Sequence, residues 1–208
     1  HEVGHTLGLN HNFKGSYLHD IESVHNPEIT SKVGVTASVM EYPAINLAPL
    51  GVEQGDYYDT IPGPYDIWAI KYGYTPDLTE SELMEIISEQ NKPEHMFAND
   101  SEDMRSPGRG IDPRAMINDL TNDPITYATQ RIELVNYSQD NIVSKLSSTA
   151  KSFEEYRLAH RIFIREYSRS LEVISRHIGG VYIERFDPQN KSSKKPYMPA
   201  PSSEQRRA

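Results

Sequence analysis

With 208 residues, a net charge of -9 and a mean hydropathy of -0.64, the chain is long enough to bury a sizeable core, but it holds no apolar run near the length a membrane-spanning helix needs. The absence of cysteine excludes a disulfide framework and thiolate metal ligands and leaves the compartment open. Positions 188 to 208 hold five Lys/Arg against one Glu, a net +4 that leaves -13 on the rest and disfavours nucleic acid as a partner.

The first stretch is His-Glu-Val-Gly-His-Thr-Leu-Gly-Leu-Asn-His-Asn-Phe, His1 to Phe13. On a helix, His1 and His5 share one face, close enough for both imidazoles to reach one ion. Glu2 lies about 100° round the axis, near that ion but outside its ligand set, where a general base is wanted. An unbroken helix would carry His11 roughly 240° round and about 9 Å further along from His5, away from any shared ion. The chain must therefore reverse, and Gly8, lacking a Cβ, can take the left-handed conformation that permits it. The spacing HExxHxxGxxH thus reads as three imidazoles, His1, His5 and His11, around a tetrahedral Zn²⁺ whose fourth position is open to water. A helix starting at residue 1 has nothing before it to cap its first amides, so the sequence reads as a piece of a longer protein.

Residues 14 to 37 lack helical periodicity and read as a long polar loop; its His19, Asp20 and His25 could line a cleft or hold a second ion, or simply be solvated. Next comes Ser-Val-Met-Glu-Tyr, Ser38 to Tyr42. HExxHxxGxxH followed about thirty residues later by this block closely resembles the metzincin zinc metallopeptidases, the bacterial met-zincin group among them. The resemblance implies that Met40 is the methionine of a tight turn beneath the metal, a soft thioether suited to a hydrophobic base under three imidazoles. A tyrosine two places on, as in the astacin-like and serralysin-like branches, implies that Tyr42 is a displaceable extra ligand that later donates to the tetrahedral intermediate. A buried tyrosine with its hydroxyl satisfied locally is the other reading of Tyr42.

Pro62 to Tyr74 opens with prolines, repeats apolar residues at helical spacing and ends on Gly73, predicting a short buried helix. Its Tyr-Asp-x-x-Ala-Ile, Tyr65 to Ile70, is similar to the helix that follows the metzincin methionine turn. Thr79 with Glu82 is a capping-box pattern that starts a helix ending near Asn91 and Pro93. Residues 94 to 122 read as irregular, solvated loop with Asn99, Asp100, Glu102, Asp103, Asp112 and Asp119 scattered through it and no EF-hand spacing. Asp123 and Pro124 form an N-cap and first-turn pair for one or two helices to about Leu146. Ser152 with Glu155 starts a long helix with Phe153, Tyr156, Phe163, Tyr167, Leu171, Ile174 and Ile178 on one face, stopped by Gly179 and Gly180. His160 and His177 read as surface or cap residues. Val181 to Phe186 is a candidate strand, and 188 to 208 reads as linker or disordered tail.

The expected fold is mainly α. Residues 1–74 form the zinc-binding, C-terminal subdomain of a metzincin-like catalytic domain and 75–187 a helical extension, and the family's N-terminal sheet subdomain is absent. The resemblance implies a zinc endopeptidase acting on peptide or protein substrates, with Glu2 as general base, and a secreted, periplasmic or cell-surface location. Because the sheet that would pair with substrate belongs to the missing N-terminal part of the same protein, the piece alone is expected to bind metal weakly and cleave poorly. Two other readings stay open: a zinc-containing binding or assembly module without turnover, and a helical interaction domain whose metal is structural.

Overall fold

Three helices of this chain start where an N-cap side chain takes up the first, unpaired amides. In the computed structural model, which describes residues 1–102, 110–185 and 195–208, Asn26 accepts from Glu28 N at 2.9 Å ahead of Pro27, Thr79 and Glu82 close a reciprocal box, and Asp123 accepts from Thr126 N at 3.2 Å ahead of Pro124. The helices so begun are α2 (Pro27–Val33), α4 (Glu80–Ser88) and α5 (Pro124–Leu146). With them run α1 (Glu2–Thr6), α3 (Pro64–Tyr74), α6 (Phe153–Ser175) and α7 (Ser202–Arg207). Among the described residues the sheet content is one antiparallel pair, β1 (Val181–Ile183) with β2 (Tyr197–Pro199), Val181 opposite Pro199. The chain is mainly α, and among the described residues no helix is long and apolar enough to cross a membrane.

The core is shared along the chain. Val24 and Val35 pack with Leu120 and Tyr127, Phe13 packs with Ala98 and Ala115, and Met116 and Ala128 pack with Val173. Fully burying a Val, Leu or Phe side chain contributes about 1.5–3 kcal/mol, and the first two clusters join residues beyond 94 to the first 74. Main-chain bonds do the same: Phe13 N to Ala98 O (2.8 Å), Asn118 N to Tyr42 O (3.0 Å) and Ala44 N to Asp119 O (3.1 Å). The first 74 residues and those beyond 94 are therefore packed into one another.

Several expectations are corrected here. Residues 14–37 contain α2, and His19 and His25 are buried rather than solvated. Of α3 only Asp66 is fully buried, with Ile67 63 % exposed, so it is not the buried helix its composition suggests. Residues 110–122 are irregular as expected but not solvated, because Asp112, Asp119 and Leu120 are 0 % exposed. Burial of Asp112 is sustained by cations: Lys14 Nζ lies 2.8 Å from its Oδ2, and Arg114 forks onto both oxygens and reaches Glu184. Burial pushes the Asp112 carboxyl up, but the Arg114 hydrogen bonds and the Lys14 charge outweigh it and hold the group below its ordinary value.

Helix α6 buries only part of the face its apolar periodicity suggests: Ile174 packs against Met116, Ala128 and Val173, and Phe163 and Tyr167 line a cavity with Val135 of α5. Ser170 and Val173 are buried and Glu166 meets Arg131 at 2.6 Å, while Phe153 is 87 % exposed and Leu171 and Ile178 are exposed as well. His177 is buried, not a surface residue. The expected unstructured tail is also corrected for its later part. Tyr197–Pro199 pairs with β1, and α7 docks through Arg207 on Asp123 (2.8 Å), since backbone pairing and specific ion pairs need no apolar richness. Asp103, Phe186 and 188–194 lie outside the described residues.

Candidate metal centre

The five-residue α1 carries His1 at its N-cap, Glu2 in its first turn and His5 in its last. Gly8 takes φ +85°, its N–H bonds to His5 O (3.0 Å) and Leu9 N–H bonds to Gly4 O (3.0 Å). This paired closure ends the helix and turns the chain back, as the spacing requires. Tyr74 at the end of α3 donates to Leu7 O (2.9 Å) and steadies the same corner. His11 returns beside the other two: ring centroids lie 5.0 Å apart for His1 and His5, 5.3 Å for His1 and His11 and 4.9 Å for His5 and His11. One nitrogen from each lies within 4.8 Å of the others, and among the described residues this is the one group of three or more such side chains that could hold a metal.

Each ring is anchored through Nδ1. His1 Nδ1 sits 2.7 Å from Val39 O, His5 Nδ1 3.0 Å from Leu9 O, and His11 Nδ1 3.0 and 2.9 Å from the two oxygens of Asp100. Carbonyl and carboxylate oxygens only accept, so each Nδ1 carries a proton, and in the neutral ring Nε2 then keeps its lone pair. His1 Nε2 is buried without a hydrogen-bond partner. Three such lone pairs suit Zn²⁺, whose common protein ligands include neutral imidazole.

Beneath the rings lies the turn that carries Met40, which is 0 % exposed. Gly4 rests directly on its thioether, and a Cβ at position 4 would fall inside the sulfur. Asp66 of α3 organises the turn by accepting from Ser38 Oγ (2.6 Å), Val39 N (2.8 Å) and Gly63 N (2.9 Å). Asn12, also fully buried, ties the returning strand to the turn through its N–H on Met40 O (3.0 Å), and donates from its side chain to Met96 O (3.0 Å). Asp66, Gly4, Asn12 and Asp100 were not singled out from sequence as site residues. A glycine inside a histidine-bearing helix was the available signal for Gly4; Asp66 shares a local cap with Gly63, but the partners that tie Asp66, Asn12 and Asp100 into the site lie 27 to 89 positions away.

Tyr42 stands against the cluster, its ring 4.6 Å from His1 and 5.2 Å from His11, and 42 % exposed rather than buried. Glu2 is exposed in the first turn. His19, Asp20 and His25 do not join the centre: His19 Nε2 bonds Gly34 O (2.8 Å), Asp20 accepts from Glu22 and Ser23 amides, and His25 stacks on Tyr127.

Behind Tyr42, Glu41 and Asp119 are buried near one another. Burial, then the Asp119 charge, raises Glu41 well above its ordinary range, and burial pushes Asp119 up to about 7. Both raised values mean the folded chain keeps protons the unfolded chain releases near the ordinary carboxylate range, so stability is full below that range and falls as pH rises toward about 7. Asp119→Asn, which keeps an acceptor for Ser16 Oγ, is expected to shrink the loss of Tm between about pH 5 and pH 8. An equal loss in variant and wild type would remove the pair as its source.

A groove of about 380 Å³ runs beside His1, lined in part by Val3, Leu7, Val39, Ile61 and Ile70. A larger cavity of about 730 Å³, lined by Trp68, His95, Phe97 and Arg114 among others, includes none of the three histidines.

Compared with known proteins, the whole chain, residues 1–208, matches a family model described as Met-zincin, and the chain belongs to that family. The family is one of metallopeptidase-type enzymes and implies zinc. No curated protein and no solved structure matches the chain.

Proposed function

We propose that the chain carries the zinc site of an endopeptidase, with His1, His5 and His11 holding the ion, Glu2 as general base and Tyr42 as an oxyanion donor. The observation that supports this most is the triple anchoring of the imidazoles through Nδ1, which leaves three Nε2 lone pairs for one cation. Zinc, when bound, supplies Lewis acidity that makes a water nucleophilic near neutral pH and polarises a peptide carbonyl. Glu2, solvent-exposed in the first turn of α1, would take the proton of such a water and return it to the leaving nitrogen. The Tyr42 hydroxyl, on an exposed ring against His1 and His11, donates to the oxygen on which charge develops. The apolar groove beside His1 receives a hydrophobic side chain of the substrate.

The test is metal removal from the intact protein. Hydrolysis of an unstructured peptide is expected to stop when a chelator strips the zinc and to return on adding about one equivalent per chain. Hydrolysis that persists in metal-free protein overturns the proposal.

A further inference from the structure

Of the three histidines, His11 alone is anchored by a side chain. Backbone carbonyls hold His1 and His5, while the Asp100 carboxylate, 89 positions further on, meets His11 Nδ1 with both oxygens. A histidine–carboxylate contact with side-chain exposures of 20 % and 60 % would ordinarily contribute little. What sets this one apart is how firmly the carboxylate is delivered. Asn99 to Glu102 form a turn closed by Glu102 N on Asn99 O (2.9 Å), with Ser101 N and Oγ both on Asn99 Oδ1. Glu102 in turn is held by Arg185, Nε to Oε1 at 3.0 Å and Nη2 to Oε2 at 2.8 Å, and that guanidinium lies over the Phe97 ring. The preceding residues are laced to the histidine strand itself: Phe13 N to Ala98 O, Ala98 N to Asn12 Oδ1 (3.2 Å) and Asn12 Nδ2 to Met96 O. Asp100 therefore sits at the corner of a turn fixed on both sides.

We infer that Asp100 is the positioning residue for His11 and that the turn 99–102 is a working part of the metal centre, an inference that rests on the three histidines being the ligands. The carboxylate selects the Nδ1–H form, sets the plane of the ring and raises the donor strength of Nε2. A segment of the helical extension thereby completes a site whose other anchors lie within the first 74 residues.

The experiment compares wild type, Asp100→Ala, Asp100→Asn and His5→Ala in the intact protein. Zinc affinity is read by competition with a chromophoric chelator, ligand geometry by the visible spectrum of the cobalt(II) form, and folding by the Tm of metal-free protein. Asp100→Ala is expected to weaken zinc about 10- to 100-fold and to alter the cobalt spectrum with the metal-free Tm unchanged. Asp100→Asn, which keeps an oxygen for Nδ1–H but no charge, is expected to recover part of the affinity. Wild-type affinity and spectrum in Asp100→Ala overturn the inference, as does a loss that follows the metal-free Tm and is not relieved by Asn. Zinc bound as tightly by His5→Ala as by wild type is a different failure, because it overturns the ligand assignment itself.

Discussion

Replacing Glu2 by glutamine is expected to lower kcat/KM for peptide hydrolysis by about 10²- to 10⁴-fold while the protein keeps its zinc. Glutamine has the size and much of the hydrogen-bonding capacity of glutamate but cannot take a proton. The three imidazoles keep their anchors on Val39, Leu9 and Asp100, none of which touches Glu2, so metal content should not move. An exposed residue in the first turn of a short helix also contributes little packing, which keeps stability out of the comparison. The check is steady-state hydrolysis of a quenched fluorescent peptide beside zinc content per chain. Undiminished turnover at full zinc would remove Glu2 as the base. If the intact wild-type protein holds zinc and yet cleaves nothing, the reading as a binding or assembly module takes over.

The second large effect is expected from a residue that touches no ligand. Asp66→Ala takes the acceptor from Ser38 Oγ and from the Val39 and Gly63 amides at a carboxylate 4 % exposed. Leaving a buried donor unpaired costs about 1–3 kcal/mol, so a loss of about 3–5 kcal/mol is expected, on the order of 10 °C in Tm. The same variant should bind zinc less well, because the Val39 carbonyl that orients His1 belongs to the turn that Asp66 holds. Asp66→Asn keeps one accepting oxygen and should lose less. Thermal unfolding of metal-free protein separates the two consequences, and an unchanged Tm in Asp66→Ala would mean that another contact secures the turn.

How much of this was legible in the sequence follows from the range of each interaction. His1, His5, Gly8 and His11 could be read at once because eleven residues contain the whole problem: a helical period, a reversal and the residue that tolerates it. The cap pairs Thr79 with Glu82 and Asp123 with Pro124 were legible for the same reason, and their helices begin where expected. Asn26 with Pro27 is an equally local signal, but the helix it starts has only seven residues, too few for its periodicity to stand out from the surrounding polar stretch.

Alone, then, the sequence determined the histidine spacing, the glycine reversal, the methionine block and most helix starts, since each depends on neighbours a few residues apart. Tertiary structure decided the rest. Asp100 on His11, Asp66 under the turn and the cations around Asp112 depend on partners brought together only by folding. The face of α6 was decided the same way. Its apolar residues recur on more than one side, and the choice that buries Val173 and exposes Phe153 belongs to α5, with the Arg131–Glu166 pair fixing the rotation. Local periodicity reports which side chains could be buried, and only the partner surface selects which of them are.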